Sequence, residues 1–265
     1  MAKTILDLQR KMAAGEKISM ITTYDATFAR LVEAAGIDMI LIGDSLGNVM
    51  QGHETTLPVT VDDIIYHARC VMRACTTPFV VADMPFGSYQ VSTEEGVRNG
   101  IRIIKESGVH AVKIEGGARC LPLVRKLVEA GVPVVGHLGL TPQSVNTMSG
   151  YRVQAKAEAE AEKLLSDALD LEAAGVFSLV LECVPRQLGK RVQEALSIPV
   201  IGIGAGPDTA GQVLVLQDAL GMNMGSKSKF VRHFANLADT IVAALKDYAD
   251  CVKNGSFPDD KESFH

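Results

Sequence analysis

The 265-residue chain carries 26 Lys and Arg against 31 Asp and Glu, a formal net charge of −5, with 47% hydrophobic residues. That length suits one large α/β domain over residues 1–265, and mild acidity without basic runs argues against nucleic acid and anionic membranes as partners. No stretch approaches the roughly 20 apolar residues of a membrane span, the N-terminal segment lacks the apolar core of a secretory signal, and five cysteines without a C-x-x-C pair read as the reduced thiols of a cytoplasmic protein.

The chain opens with an amphipathic stretch at 4–13, a helix ahead of the first strand and placed to cover the mouth at the strands' N-terminal ends. A first strand is expected at 19–25 (SMITTYD) and a second at 39–44 (MILIGD). The glycine-containing loop 43–58 that follows suits a lid or a merely extended connection equally well. Thr60 with Asp63, and Ser92 with Glu95, have capping-box spacing before periodic apolar runs. Between and after these helices come strands at 79–83 (FVVAD), 111–115 (AVKIE) and 132–137 (VPVVGH). Ala155 to Leu171 has helical period, and further strands follow at 178–182 (SLVLE) and 199–204 (PVIGIG). GIGAG at 202–206 lacks the spacing of a dinucleotide fingerprint and reads as a tight loop, with Pro207 opening a helix. An eighth strand is expected at 213–217 (VLVLQ), then a helix near 231–251 and a loose polar tail.

One phrase recurs. Glu33-Ala34-Ala35-Gly36-Ile37 is echoed at Glu106-Ser107-Gly108-Val109, Glu129-Ala130-Gly131-Val132 and Glu172-Ala173-Ala174-Gly175-Val176. Glycine in the left-handed conformation ends a helix there and the next residues enter a strand. Continuous apolar runs suit parallel strands buried on both faces, so repeated β-then-α units predict a closed (β/α)8 TIM barrel with an extra N-terminal helix. The open doubly wound sheet would need a phosphate-binding glycine turn after the first strand, which SMITTYDA does not offer.

Chemistry collects at the strand ends. Strand two ends in Asp44 and Ser45, strand three in Asp83, strand five in His137 and strand six in Glu182, while strand four contains Lys113 and ends in Glu115. In a barrel these converge on the C-terminal rim, where active sites of this fold lie. Several carboxylates near one axis repel one another unless a cation or a raised pKa relieves them, which predicts a divalent metal, a proton-transfer role, or both. Oxygen donors from Asp44 and Asp83, without Cys/His zinc spacing, point to a hard ion such as Mg2+. Lys113 and Glu115, two apart on a strand, share a face; they fit a buried salt bridge as well as a pair in which Lys113 binds an anionic substrate and Glu115 supports the metal or its water. His137 is expected to support the site from behind its immediate ligands, and Cys183 to point away from Glu182 if the strand continues.

The motifs GDSLG at 43–47, QGHETTLPVT at 51–60, ADMPFGSY at 82–89, VKIEGG at 112–117, GHLGLTPQS at 136–144, GYRVQ at 150–154, VLECVP at 180–185 and IPVIGIGAG at 198–206 follow one another in the order and spacing of one family. The chain resembles the 3-methyl-2-oxobutanoate (ketopantoate) hydroxymethyltransferase family from about residue 3 to the end. The resemblance implies a barrel of the phosphoenolpyruvate mutase-like group, Mg2+, 5,10-methylenetetrahydrofolate as cosubstrate, a step of pantothenate biosynthesis and assembly as a homodecamer. It implies that Asp44, Asp83 and Glu115 are the metal residues, that Asp44, Ser45, Asp83 and Lys113 hold the 2-oxo acid, and that Glu182 is the proton acceptor. Two positions depart from the pattern: Ala155 stands where many members have glycine, and Ser228 where proline is common. The reaction so implied makes an enolate at C3 of 3-methyl-2-oxobutanoate and adds a one-carbon unit to it, giving 2-dehydropantoate and tetrahydrofolate. Its rivals are a lyase or mutase of the same barrel group and a barrel that binds without catalysis.

Overall fold

Eight parallel strands pair in chain order and close on themselves, β8 pairing back onto β1. They are β1 (Ile18–Thr22), β2 (Met39–Ile42), β3 (Phe79–Asp83), β4 (Ala111–Glu115), β5 (Val134–Gly139), β6 (Ser178–Glu182), β7 (Val200–Ile203) and β8 (Gly211–Leu214). The computed structural model describes residues 2–148, 150, 152–223, 225 and 228–265. Contacts divide the chain into two units, one ending at Val215 and one spanning Leu216–His265. The first holds the whole barrel.

Seven of the helices in this unit are α1 (Ile5–Ala13), α2 (Ala26–Ala34), α4 (Val61–Met72), α5 (Thr93–Ser107), α6 (Leu121–Glu129), α7 (Glu158–Ala173) and α8 (Arg186–Ala195); α3 is a single turn, Leu46–Val49. Their starts are the ones the sequence marks. Thr4 and Asp7, and Thr60 and Asp63, form reciprocal capping boxes, whereas Ser92 caps through its own hydroxyl on Glu95 N–H. Gly108 ends α5 at φ +80°, and Gly36, Gly131 and Gly175 take the same hand at the other helix-to-strand joints.

The barrel interior is apolar at the N-terminal end of the strands. Ile18, Met20, Met39, Leu41, Phe79, Val81, Ala111, Val135, Val180, Ile201 and Val213 form one buried cluster, and Leu8 of α1 belongs to it. The first helix therefore closes this mouth, as expected.

The segment after β7 differs from expectation. Residues 204–210 form a turn, not a helix opened by Pro207, and β8 begins at Gly211 rather than at 213. A connection of that length has no room for a helix as well as the path back to a parallel neighbour, and Gly211 is already in register with Ile18 and Ile201. Leu216–Ala219, expected partly as strand, is the short helix α9 of the second unit, and the long C-terminal helix α10 runs Leu237–Asn254. None of the α10 residues is buried. No helix among the described residues is long and apolar enough to cross a membrane.

Candidate active site

Strand alternation builds the site. Side chains two apart share a face, and each key residue lies one such step beyond a member of the interior cluster: Asp83 beyond Val81, Lys113 beyond Ala111, His137 beyond Val135 and Glu182 beyond Val180. Glu115 is one step further along β4. Register aligns them laterally, with Asp83 beside Lys113, Glu115 beside His137 and Gly139 beside Glu182. The apolar core thus gives way to a polar layer at the C-terminal rim.

Asp44, Asp83, Lys113, Glu115 and His137 are all buried. Asp44 N–H donates to Asp83 Oδ2 at 2.9 Å, which locks the turn after β2 against β3. Lys113 Nζ lies 3.0 Å from Asp83 Oδ1 and 3.6 Å from Glu115 Oε1. The first contact is a buried ion pair that holds Lys113 in its charged form. Asp44 Oδ2 accepts from Gln143 Nε2 at 3.0 Å. Glu115 is fully engaged: Oε1 faces His137 Nδ1 at 3.1 Å and Oε2 accepts from Gln143 N–H at 3.0 Å. On its far side His137 Nε2 stands 3.3 Å from Glu182 Oε2. The Glu182 side chain is 15% exposed, so it is the carboxylate of the group that reaches toward the open rim.

The electrostatics divide accordingly. Burial raises Asp44 well above the ordinary carboxylate range, and Asp83 and Glu115 push it further. Burial also raises Asp83, although Lys113 and the Asp44 N–H oppose it. Burial acts the same way on Glu115, but His137, Lys113 and the Gln143 N–H outweigh it and hold this carboxyl low. Lys113 stays charged because its three carboxylate neighbours overcome the cost of burial. Burial and Lys113 disfavour charge on His137, yet Glu115 and Glu182 raise it to about 9.

No group of three or more His, Cys, Asp or Glu donors among the described residues is preassembled around a metal position. The donor set still fits a hard cation. Asp44 and Asp83 are neighbouring buried oxygen donors, and the Asp83 and Glu115 charges add to the cost of charging Asp44. Mg2+ is usually held by one or two carboxylates and completes its shell with water and substrate oxygens.

Backbone geometry beside Glu182 is unusual. Gly139 has φ +91°, and a Cβ there would lie 2.1 Å from the Glu182 carbonyl oxygen, so only glycine permits this approach. Cys183 has φ +48°. The strand does not continue through it, so the alternation expected for Cys183 does not apply. Burial and the nearby Glu182 raise its thiol to about 12, leaving it protonated. His137, expected at the end of its strand, is two residues inside β5, which runs on to Gly139.

Three buried residues escape the sequence reading. Tyr24 meets Ser45 Oγ at 2.8 Å and so fixes that hydroxyl. Gln143 bonds both Asp44 and Glu115. Tyr89 OH bonds Gln143 Oε1 at 2.8 Å and accepts from Glu115 N–H at 3.1 Å. Gln143 and Tyr89 lie inside the motifs GHLGLTPQS and ADMPFGSY, which are the signal that could have found them.

Comparison with known proteins agrees with this architecture. The barrel is similar to 2,3-dimethylmalate lyase, a member of the phosphoenolpyruvate mutase/isocitrate lyase superfamily, at TM-score 0.61 and 17% identity, covering 100% of this chain and 93% of that one. It is also similar to a phosphonopyruvate hydrolase solved with oxalate and Mg2+, at TM-score 0.62 and 12% identity, covering 98% and 93%. Sequence relatives are much nearer. The 3-methyl-2-oxobutanoate hydroxymethyltransferase of Moorella thermoacetica is 53% identical over 261 residues, 98% of this chain and 97% of the relative. That of Bacteroides fragilis is 54% identical over 250 residues, 94% and 92% respectively. The ketopantoate hydroxymethyltransferase family model matches residues 2–260, and the chain belongs to that family.

Proposed function

We propose that the chain transfers a hydroxymethyl group from 5,10-methylenetetrahydrofolate to 3-methyl-2-oxobutanoate, giving 2-dehydropantoate and tetrahydrofolate in pantothenate biosynthesis. The observation that carries this reading is a carboxylate, Glu182, at the open edge of a buried acidic site that holds one lysine. A 2-oxo acid needs an anion-tolerant pocket, a polarised carbonyl and a base aimed at the adjacent carbon.

Asp44 and Asp83 would hold Mg2+, with Glu115 adding its charge while its own oxygens remain engaged by His137 and Gln143. When bound, the ion polarises the keto group and lowers the cost of the developing enolate. Lys113 and Ser45 hold the substrate, Lys113 as a charged donor kept in place by Asp83 and Ser45 as a hydroxyl fixed by Tyr24. Glu182 takes the C3 proton. His137, seated between Glu115 and Glu182, keeps that carboxylate from turning away.

Residues 1–265 act as one catalytic chain in this reading, in the cytoplasm, and self-associate as a homodecamer. The exposed apolar residues Ile241, Val242, Leu245, Tyr248 and Val252 along α10 support self-association. Metal-dependent consumption of methylenetetrahydrofolate in the presence of 3-methyl-2-oxobutanoate tests the activity. Turnover of another oxo acid without folate would replace this reading with the lyase one. A stable monomer by light scattering at micromolar concentration would remove the decamer.

A further inference from the structure

Gln143 lies in the single turn Pro142–Ser144 after β5 and touches two carboxylates of the acidic site. Its backbone N–H donates to Glu115 Oε2 at 3.0 Å and its side-chain Nε2 to Asp44 Oδ2 at 3.0 Å. The rest of the amide is also used. Nε2 donates again to the Met84 carbonyl at 2.9 Å, and Oε1 accepts from Tyr89 OH at 2.8 Å and from Gln90 Nε2 at 3.2 Å. A glutamine amide offers two N–H donors and two acceptor lone pairs, so every one is taken. Only one sense of the amide works. Turned over, Oε1 would face the Asp44 carboxylate and the Met84 carbonyl, and Nε2 would face the Gln90 donor. Gln143 and Tyr89 are both buried, where an amide without partners is costly.

The three carboxylates nearest the barrel axis differ in how their oxygens are held. Glu115 has both engaged, Oε1 by His137 and Oε2 by the Gln143 N–H. Asp83 gives Oδ2 to the Asp44 N–H and sets Oδ1 against the Lys113 ammonium at 3.0 Å. Asp44 is held at Oδ2 by the Gln143 amide. The direction in which the Asp44 carboxylate presents its other oxygen is therefore set by Gln143.

We infer that Gln143 is a positioning residue that makes the site prefer a small hard cation: by holding Asp44 Oδ2 it leaves this carboxylate one oxygen to offer, and so disfavours a larger ion. The assignment rests on the reading above that Asp44 and Asp83 hold Mg2+. Mg2+ demands near-octahedral geometry at about 2.0–2.1 Å and takes few protein oxygens, whereas Ca2+ takes roughly 6–8 oxygens at about 2.3–2.6 Å and accepts a carboxylate through both of its oxygens. A carboxylate with one oxygen tied cannot grip an ion with two unless that bond breaks. Tyr89 acts through Gln143, because its hydroxyl holds Oε1 and so fixes where Nε2 points.

The test compares two ions on one protein. Full-length chain stripped with EDTA and dialysed is titrated with MgCl2 and with CaCl2 in a calorimeter, with 3-methyl-2-oxobutanoate present. Gln143→Met keeps the length of the side chain and the backbone N–H to Glu115, and removes the amide. The ratio of Mg2+ to Ca2+ affinity should fall by about tenfold, the size of effect that partners of metal ligands commonly carry. Tyr89→Phe should lower the same ratio less, by about threefold, because Gln90 still holds Oε1. The double variant should match Gln143→Met, since Tyr89 has nothing left to act through. If melts in EDTA show that Gln143→Met does not fold, Tyr89→Phe decides alone. A folded variant that loses both ions by one factor, or neither, would overturn the inference: Gln143 would then brace the turn after β5 without choosing the ion. A double variant whose loss is the product of the two single losses would overturn the relay, by making Tyr89 act separately through Glu115. A wild-type protein that binds neither ion would sink the metal site proposed above and this inference with it.

Discussion

Strand β2 carries a buried aspartate just beyond each end, Asp38 before it and Asp44 after it. At the N-terminal end, Asp38 accepts from Ser19 N–H and Oγ at 3.0 Å each and from Lys11 Nζ at 2.9 Å, with Lys3 Nζ 3.4 Å away. Burial works against its charge, but these donors prevail and its carboxyl lies below the ordinary range. At the C-terminal end, Asp44 has one side-chain amide donor, Gln143, faces Asp83 and Glu115, and is pushed well above that range. Both side chains are shielded from solvent, but Asp44 lies deeper in the protein and its surroundings are opposite. One end of the barrel satisfies its charge within the protein and holds α1 to the strands; the other leaves charge for something else to satisfy. Repulsion tolerated inside a fold marks where an ion or substrate completes the balance.

If that division is right, the largest effect at the upper end is chemical and not structural. Glu182→Gln keeps the size and cannot accept a proton, and a general base contributes about 10²- to 10⁴-fold. Exchange of the C3 hydrogen should fall by that factor, followed by NMR in D2O with Mg2+, while the melting temperature stays near wild type. Wild-type exchange in the variant would move the base to another group. A collapse in melting temperature would show that the upper rim stabilises the fold, and the contrast with Asp38 would be lost.

The lower end should behave the other way. Asp38→Asn removes the charge that Lys11 and Lys3 face and leaves one oxygen for the donors on Ser19, a change expected to cost about 1–3 kcal/mol from hydrogen bonds to a charged group. Denaturant melts check this, and substrate affinity should not move. No loss of stability would mean that α1 is held by Leu8 and its apolar neighbours alone.

How far the sequence reveals this division depends on the range of the interactions. Asp83, Glu115 and Glu182 were legible because each closes an apolar run, and Lys113 because it interrupts one two residues before Glu115, so that strand period aims both inward. The glycine joints were legible because helix termination is local. Gln143 was not, since its bond to Asp44 spans 99 residues of chain, and a glutamine after a proline resembles any turn. Tyr24 likewise reaches Ser45, which follows the neighbouring strand β2, from the turn after β1. Pro207 suggested a helix because proline favours a first turn, but the register of Gly211 left no chain for it. Ala155, noted as replacing a common glycine, does sit at φ +52°, where an L-residue is strained.

Asp44→Asn sharpens the comparison at smaller amplitude. The amide still accepts from Gln143 and no longer repels Asp83 and Glu115, so the metal-free protein should gain about 0.5–2 kcal/mol, as relief of functional-site strain commonly yields. The same change should weaken Mg2+ binding measured by calorimetry with 3-methyl-2-oxobutanoate present, because a neutral oxygen holds a hard cation poorly. A variant that is less stable without metal would show that the ionised Asp44 is satisfied by the protein after all.

The smallest effect is the pH dependence of these two stability differences, and it separates the two ends most cleanly. Both aspartates start from an unfolded value of 3.8. Asp38 is lowered on folding, so its contribution is present above pH 3.8 and disappears as pH falls through its lower folded value. Asp44 is raised on folding, so its folded state prefers the proton. Wild-type stability is then least penalised below pH 3.8 and declines as pH rises from there through the raised folded value. In melts with EDTA, the deficit of Asp38→Asn should therefore persist down to about pH 4 and shrink only below it. The gain of Asp44→Asn should already be shrinking well above pH 4 as the wild-type residue takes up its proton. The two differences have opposite signs and fade in different windows, one below the unfolded value and one above it. Coincident windows, or a gain in Asp44→Asn that persists unchanged down to pH 4, would mean that the acidic cluster balances its own charge and that the two ends of the barrel do not differ in this way.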